Sequence, residues 1–317
     1  MVMKVALMGA GGKMGCRITD NMRGRPAYQM LYVEISEPGL ANLAKRGLRA
    51  TPEADALAQA DAVVLALPDR LIGKISQRII PTLRPGVMIV GLDPAAAYAE
   101  VLPIRPDLTY FVTHPCHPPL FNDDLEEATR YDWFGGVHAS QHIVCALHRG
   151  PEADYARGEQ LALDMFGNDE CPVIKSHRIT VEQMAILEPA LVETFAAAMI
   201  QSVKHLRDEV VNRMGVPAEA CDAMLMGHLR IELAIVFGWA GFPFSDGAML
   251  AIRKAQERLF VPDWKERVLS LDAIRASVKE ITEHSRGLLG HQRCNSALEA
   301  IRSPGPSAWP TTLHPGR

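Results

Sequence analysis

Lys4-Val5-Ala6-Leu7-Met8-Gly9-Ala10-Gly11-Gly12-Lys13-Met14-Gly15 is the stretch that decides the fold. A short apolar run ends in glycines spaced GxxGxxG (Gly9, Gly12, Gly15), and a helical pattern over 13–22 follows at once. Glycine tolerates the backbone angles of such a turn and lets a pyrophosphate approach the main chain. The helix that follows offers N–H groups and a partial positive charge at its start. The spacing departs from strict GxGxxG, and a lone glycine-rich turn also fits a plain strand-to-helix corner. The surroundings favour a dinucleotide. Residues 30–35 read as a second strand carrying Glu34 near its end, where a carboxylate suits both ribose hydroxyls and repels a 2′-phosphate. NAD is therefore favoured over NADP. Leu67-Pro68-Asp69 follows a further strand, where such a crevice meets its cofactor, although Pro68 equally suits a first helical turn. The cofactor-binding candidates are Gly9, Ala10, Gly11, Gly12, Lys13, Met14, Gly15, Glu34, Pro68 and Asp69.

Outward from this motif, strands read at 61–67, 87–90, 109–113 and 142–147, with a last extended piece at 172–179. Helical stretches at 68–80 and 152–166 separate some of them. Continuous apolar strands between helices predict an α/β Rossmann domain with a doubly wound parallel sheet over 1–179. After Thr180 no strand pattern returns. Helices read at 181–214 (with Pro189 inside), 217–239, 246–259 and 272–284, giving an all-α domain over 180–302. Residues 303–317 are rich in Pro and Gly without periodicity and read as a disordered tail.

The bulk numbers narrow the classes. The chain has 317 residues, 48% hydrophobic and 22% charged, the composition of an ordinary globular protein. A net charge of −4 carries no basic excess, so nothing argues for nucleic acid. No window of about 18 apolar residues stands out, and no signal-peptide pattern follows the N-terminus, so the expectation is a soluble cytoplasmic protein. Six scattered cysteines without CxxC spacing read as reduced, mostly buried thiols.

A second cluster carries chemistry. Thr113-His114-Pro115-Cys116-His117-Pro118-Pro119-Leu120-Phe121 places two histidines among prolines just after a strand, where rigid loops hold catalytic groups. Glu188 sits before Pro189 in an apolar helix and needs a cation, a metal or a proton. His228 and Glu232 share a helix face at i, i+4. Each has a plainer reading, as loop packing or a weak surface contact. Together, His and Glu converging would suit Zn²⁺, and carboxylates alone Mg²⁺.

VALMGAGGKMG, VVLALPD, THPCHPPLFND, HRIT-x-EQ-x-AILEP and GHL-x-IE-x-A, taken together, resemble the D-apionate oxidoisomerases, a group akin to phosphogluconate dehydrogenase and ketol-acid reductoisomerase. The resemblance runs over about 4–264. It implies a helical domain that forms a homodimer interface, and NAD-dependent oxidation of D-apionate coupled to a rearrangement giving 3-oxo-isoapionate. Such a ketol shift wants a divalent metal that grips adjacent oxygens. Mapped onto this chain, the resemblance suggests His114 and Glu188 as metal ligands, with His117, His228 and Glu232 as acid/base groups. Zn²⁺ is the first choice and Mg²⁺ the alternative. A metal-free NAD-dependent β-hydroxyacid dehydrogenase is the competing reading. It would want a catalytic lysine in the first long helix of the second domain, for which Lys204 is available without the usual pattern leading to it. A dinucleotide sensor without activity is a third.

Overall fold

The computed structural model describes residues 2–121 and 127–283. The chain alternates as the motif requires: β1 (Met3–Met8), α1 (Lys13–Met22), β2 (Tyr28–Val33), α2 (Glu37–Lys45), α3 (Glu53–Gln59), β3 (Ala62–Leu65), α4 (Asp69–Ile79), β4 (Met88–Gly91), α5 (Ala95–Tyr98), β5 (Thr109–Pro115), α6 (Glu127–Tyr131), β6 (His142–Arg149), α7 (Tyr155–Phe166) and β7 (Lys175–Arg178). The strands form one seven-stranded sheet in the order β2-β1-β3-β4-β5-β6-β7. β1 is flanked by β2 on one side and β3 on the other, so the connections diverge there. This opens a crevice at the strands' C-terminal ends, where ligands bind in open α/β sheets.

The strands are apolar on both faces because both faces are covered. Val63, Leu65, Ile89, Tyr110 and Val112 build one core layer, and Val5, Leu7, Val64, Val90 and Phe111 the other. The sheet is not wholly parallel, as the sequence reading had it. β6 runs antiparallel to β5, with His114 opposite Val144 and Pro115 opposite Ile143. Apolar content cannot reveal direction, since a strand buried on both faces looks the same read either way. The reversal brings the start of β6, not its end, to the crevice. α2 was also hidden from the sequence, because Pro38-Gly39 in its first turn reads as a loop. Ser36 caps it by accepting from Gly39 N–H at 3.2 Å.

Two compact units divide the described chain, residues 2–189 with 274–283 and residues 190–273. The expected division at 179/180 thus moves by ten residues. The reason is α8 (Val181–Ala185), whose Val181, Met184 and Ala185 are buried, two of them in the core layer facing β6. α8 begins with a capping box, Thr180 accepting from Gln183 N–H and Gln183 accepting from Thr180 N–H. It runs into a π-helix, Ile186–Ala197, and then α9 (Ala198–Asn212). Pro189 lacks an N–H and would clash with the carbonyl four residues back in an α-helix, so the wider coil falls where the proline sits. The tail expected at 303–317 lies outside the described residues.

The second unit by itself consists of α9, α10 (Ala218–Val236), α11 (Asp246–Leu259) and α12 (Trp264–Leu269). Arg207 joins α9 to α10 through both oxygens of Asp222 at 2.7 Å, and Phe195 stacks on Trp264 at 5.0 Å. No residue of these four helices is buried. Large apolar side chains stand in the open: Leu259 is 75% exposed, Val236 67% and Trp239 60%. The helical run Val181–Asn212 is also long and apolar enough to cross a membrane by composition alone, with a mean hydropathy of 1.3 in its best window. This corrects the reading that no such stretch exists. α13 (Leu271–Glu283) then returns to the first unit, burying Ile274, Val278 and Thr282.

Candidate active site

The glycine turn lies against the loop after β3. Gly9 takes φ +75°, and a Cβ there would overlap the carbonyl oxygen of Ala66. A Cβ on Gly15 would likewise overlap the Gly9 carbonyl, so helix and turn close on each other only because both lack side chains. Gly12 caps α1 without any side-chain hydrogen bond, and the first turn holds no acid. The N-terminus of α1 is thereby suited to an anion such as a pyrophosphate. Glu34 Oε2 accepts from Gly11 N–H at 3.0 Å. Its Oε1 accepts from Ile35 N–H, Ser36 N–H and the Ser36 hydroxyl at 2.8, 2.8 and 2.9 Å. The carboxylate therefore pins the glycine turn to the start of α2. Pro68 is the N-cap of α4 and Asp69 its first residue, a structural role that leaves them bordering the crevice.

β5 delivers His114 to the same edge. Its Nδ1 lies 2.8 Å from the carbonyl of Leu92, in the loop after β4. A carbonyl only accepts, so Nδ1 carries a proton and donates it. That Nε2 is 4.0 Å from Oε1 of Glu188, which the start of the π-helix presents. The gap is too long for a hydrogen bond.

His117 follows in the left-handed region at φ +62°. For a residue with a Cβ this costs about 1–3 kcal/mol and persists only where neighbours dictate it. Here the buried Gln141 accepts from His117 N–H at 3.2 Å, and His117 Nδ1 donates to the Phe134 carbonyl at 3.2 Å. The same logic leaves Nε2 as the basic nitrogen. Burial pushes this imidazole below its ordinary pKa. Nearby His114, Arg17 and Lys13 add to the fall, and the Phe134 carbonyl opposes it. His117 is thus a neutral base at physiological pH, edge-on to His114 at 6.2 Å.

Phe134 connects this pair to the glycine turn. Its ring meets His117 edge-on at 5.4 Å, and Lys13 Nζ lies 3.8 Å over its face. The loop that carries it is held by Asp132, which is 1% exposed. One carboxylate oxygen accepts from Val137, His138 and Ala139 N–H at 3.0, 2.9 and 3.1 Å. The other pairs with Arg17 of α1 at 3.3 Å, and Arg17 also donates to the Gly135 carbonyl. Burial would raise this carboxyl, but the three N–H groups and the guanidinium hold it below the usual carboxylate range. Sequence reasoning missed Arg17, Asp132, Phe134 and Gln141, because their roles come from partners far along the chain. Only the glycines at 135 and 136, both in left-handed backbone, hinted at a built loop.

Of the acid/base and metal candidates, His114, His117 and Glu188 come together in the first unit. His228 and Glu232 lie on α10 in the second unit, exposed there, with His228 Nδ1 bonded to the Met224 carbonyl at 2.8 Å. Lys204 is an exposed residue of α9 paired with Asp208. Among the described residues, no group of three or more His, Cys, Asp or Glu side chains is arranged to hold a metal. Cys16, Cys145 and Cys171 are buried thiols outside any disulfide, while Cys116 is exposed.

Comparison with known proteins places these features. Residues 122–282 match the C-terminal domain model of decarboxylating phosphogluconate dehydrogenase. D-apionate oxidoisomerase of Rhizobium rhizogenes is 45% identical over 88% of this chain and 99% of its own length. The D-apionate oxidoisomerase of Cupriavidus necator is 44% identical over 88% and 99%. Among solved structures, a semialdehyde dehydrogenase NAD-binding protein from Cupriavidus necator, in complex with calcium and NAD, superposes with a TM-score of 0.84 at 44% identity, covering 89% of this chain and 100% of that one. An NADH-preferring ketol-acid reductoisomerase from an uncultured archaeon shares the fold alone, at a TM-score of 0.62 and 15% identity over 88% and 82%. With relatives this similar matched over nearly their full length, the chain belongs to the D-apionate oxidoisomerase family.

Proposed function

We propose that this protein is a cytoplasmic NAD-dependent oxidoisomerase that converts D-apionate to 3-oxo-isoapionate. The observation that carries the reading is the line from the glycine turn through Phe134 to His117, His114 and Glu188 at one end of the sheet. It sets a neutral base and a nitrogen–carboxylate pair beside a dinucleotide turn.

Bound NAD would supply the hydride acceptor, and a divalent cation held by His114 Nε2 and Glu188 would supply a Lewis acid for adjacent substrate oxygens. The residues fit such a cation. Nε2 of His114 and an oxygen of Glu188 face each other at 4.0 Å, too far apart for a hydrogen bond with each other. Zinc sites usually draw three or four ligands from the protein, and two donors are what these side chains offer. The imidazole nitrogen nevertheless favours Zn²⁺ over Mg²⁺, and substrate oxygens would have to complete the set. His117 Nε2 accepts the hydroxyl proton as the C2 hydrogen leaves as hydride. In the rearrangement a carbon substituent of the neighbouring carbinol carbon moves with its bonding pair to C2, and the carbinol oxygen becomes the new carbonyl. One hydroxyl there loses a proton, and the oxygen at C2 gains one. His117, just protonated, is placed to give its proton to that oxygen and to take the hydroxyl's, so one proton per turnover is left to reach water.

The test is direct. The protein, NAD and D-apionate are mixed with and without prior chelation, NADH is followed by absorbance and the product is identified by NMR. The expected result is NADH with a rearranged product, lost on chelation and restored by one divalent ion. NADH with an unrearranged product, indifferent to chelation, would instead mean a metal-free β-hydroxyacid dehydrogenase.

The second unit supports a homodimer. Four helices without a buried residue leave far more apolar surface open than a lone soluble protein tolerates. A second copy laying the same helices against them covers both, as a two-fold interface requires. Sedimentation equilibrium should give twice the chain mass at micromolar concentration. A monomer there would refute the assignment.

A further inference from the structure

β6 brings another histidine to the same end of the sheet. His142 opens the strand, and its carbonyl accepts from Cys116 N–H at 2.9 Å. His114 stands opposite Val144. Alternate residues of a strand share a face, so His142 follows Val144 on the face that carries His114. β7 adds His177, paired with Val144 in parallel register and on that face too. Nδ1 of His142 and Nε2 of His177 are 2.9 Å apart, with ring centroids at 5.1 Å and planes inclined by 25°. That centroid separation equals the bond plus one ring radius at each end. The rings therefore meet edge to edge, an N–H pointing at a lone pair. A cation could not lie between them unless both rings swung away, whereas a proton already does. Both side chains are half-buried, and β7 is the last strand of the sheet.

We propose that the His142–His177 pair carries the proton released by substrate oxidation from the crevice to the surface. The inference rests on the oxidation proposed above. Each turnover splits the substrate's C–H and O–H into a hydride, which leaves with the cofactor, and a proton, which must reach water. The proton enters at Nε2 of His142, the Nδ1 proton of His142 passes to Nε2 of His177, and His177 releases its own Nδ1 proton to water. One proton enters and one leaves. Both rings end in the opposite tautomer with the shared bond reversed, and exchange with water resets them. At this end of the sheet the other ionisable groups are His114 on β5, Cys116 just after it and Lys175 beside His142 in the β7 register, with Glu182 on α8 and Glu188 just beyond it. Tyr110, Cys145, His148, Arg149 and Arg178 lie further along the same three strands.

His177→Gln and His142→Gln, made separately in the full chain, should each lower kcat about tenfold. This is less than the 10²–10⁴ of a direct acid or base, because water replaces a relay in part. KM for NAD should not change, added imidazole should restore most of the rate, and the solvent deuterium isotope effect on kcat should grow. An unchanged kcat, or a loss that imidazole does not restore in a variant of unchanged melting temperature, would overturn the proposal. Independently of any variant, ¹⁵N spectra of the wild-type histidine rings should show coupling across the shared proton, and two uncoupled rings would overturn it as well. A wild-type chain that leaves D-apionate and NAD unchanged would overturn the reaction and this inference with it. Wild-type turnover with indifferent variants overturns the inference alone.

Discussion

Replacing Glu188 by Gln should lower kcat/KM for D-apionate about a thousandfold, or about 4 kcal/mol of transition-state stabilisation. The glutamine keeps the shape and one oxygen but removes the charge opposite His114 Nε2, 4.0 Å away. Affinity for NAD should barely move, because Glu188 enters from the π-helix after α8 while the glycine turn follows β1. His114→Ala should cost a similar factor, and the double variant little more than either alone, as expected of groups acting as a unit. Steady-state NADH formation with saturating NAD, alongside a fluorescence titration of NAD, reads both numbers. A loss under tenfold for Glu188→Gln would remove this carboxylate from the chemistry.

The largest effect on stability is expected at a residue that touches no substrate. Asp132→Ala leaves Arg17 buried without its carboxylate and three N–H groups without their acceptor. Breaking such a pair from one side costs about 3–5 kcal/mol, and urea unfolding should show it. Arg17→Ala in the same background should add less than its own single cost. The pH dependence has a definite sign. The folded carboxyl lies below its ordinary value, so its stabilisation is present above the unfolded pKa near 3.9 and is lost as pH falls through the folded value. The wild type should therefore lose stability in acid more steeply than Asp132→Ala. A difference under 1 kcal/mol at neutral pH would contradict the account.

Most strands of the first unit were legible because they are short apolar runs with a glycine or proline at or soon after their ends, and the glycine turn announced its ligand by context. His114 and Glu188 were legible because each is chemically out of place, a histidine among prolines and a carboxylate in an apolar helix. What stayed hidden shares one property. The direction of β6, the clamp of Gln141 on His117, the Arg17–Asp132 pair and the His142–His177 bond all depend on which distant residues become neighbours. His142 and His177 sit in strands as ordinary polar positions, and nothing near either one in the chain points to the other. The ten residues from Thr180 to Pro189 were assigned to the helical domain because they are helical, but their burial against β6 and α5 ties them to the sheet.

The reversed direction of β6 bears on how such an enzyme can change. A parallel neighbour has to be reached by a crossover that packs on the sheet, whereas an antiparallel one can be reached in two residues. The long connection between Pro115 and His142 is therefore surplus to the architecture. It nonetheless holds His117, Asp132 and Phe134. Length changes in that stretch that spare His117, Asp132 and Phe134 leave every strand pairing and the Arg17–Asp132 pair intact. The crevice wall beside His117 can therefore vary in length without re-pairing a single strand.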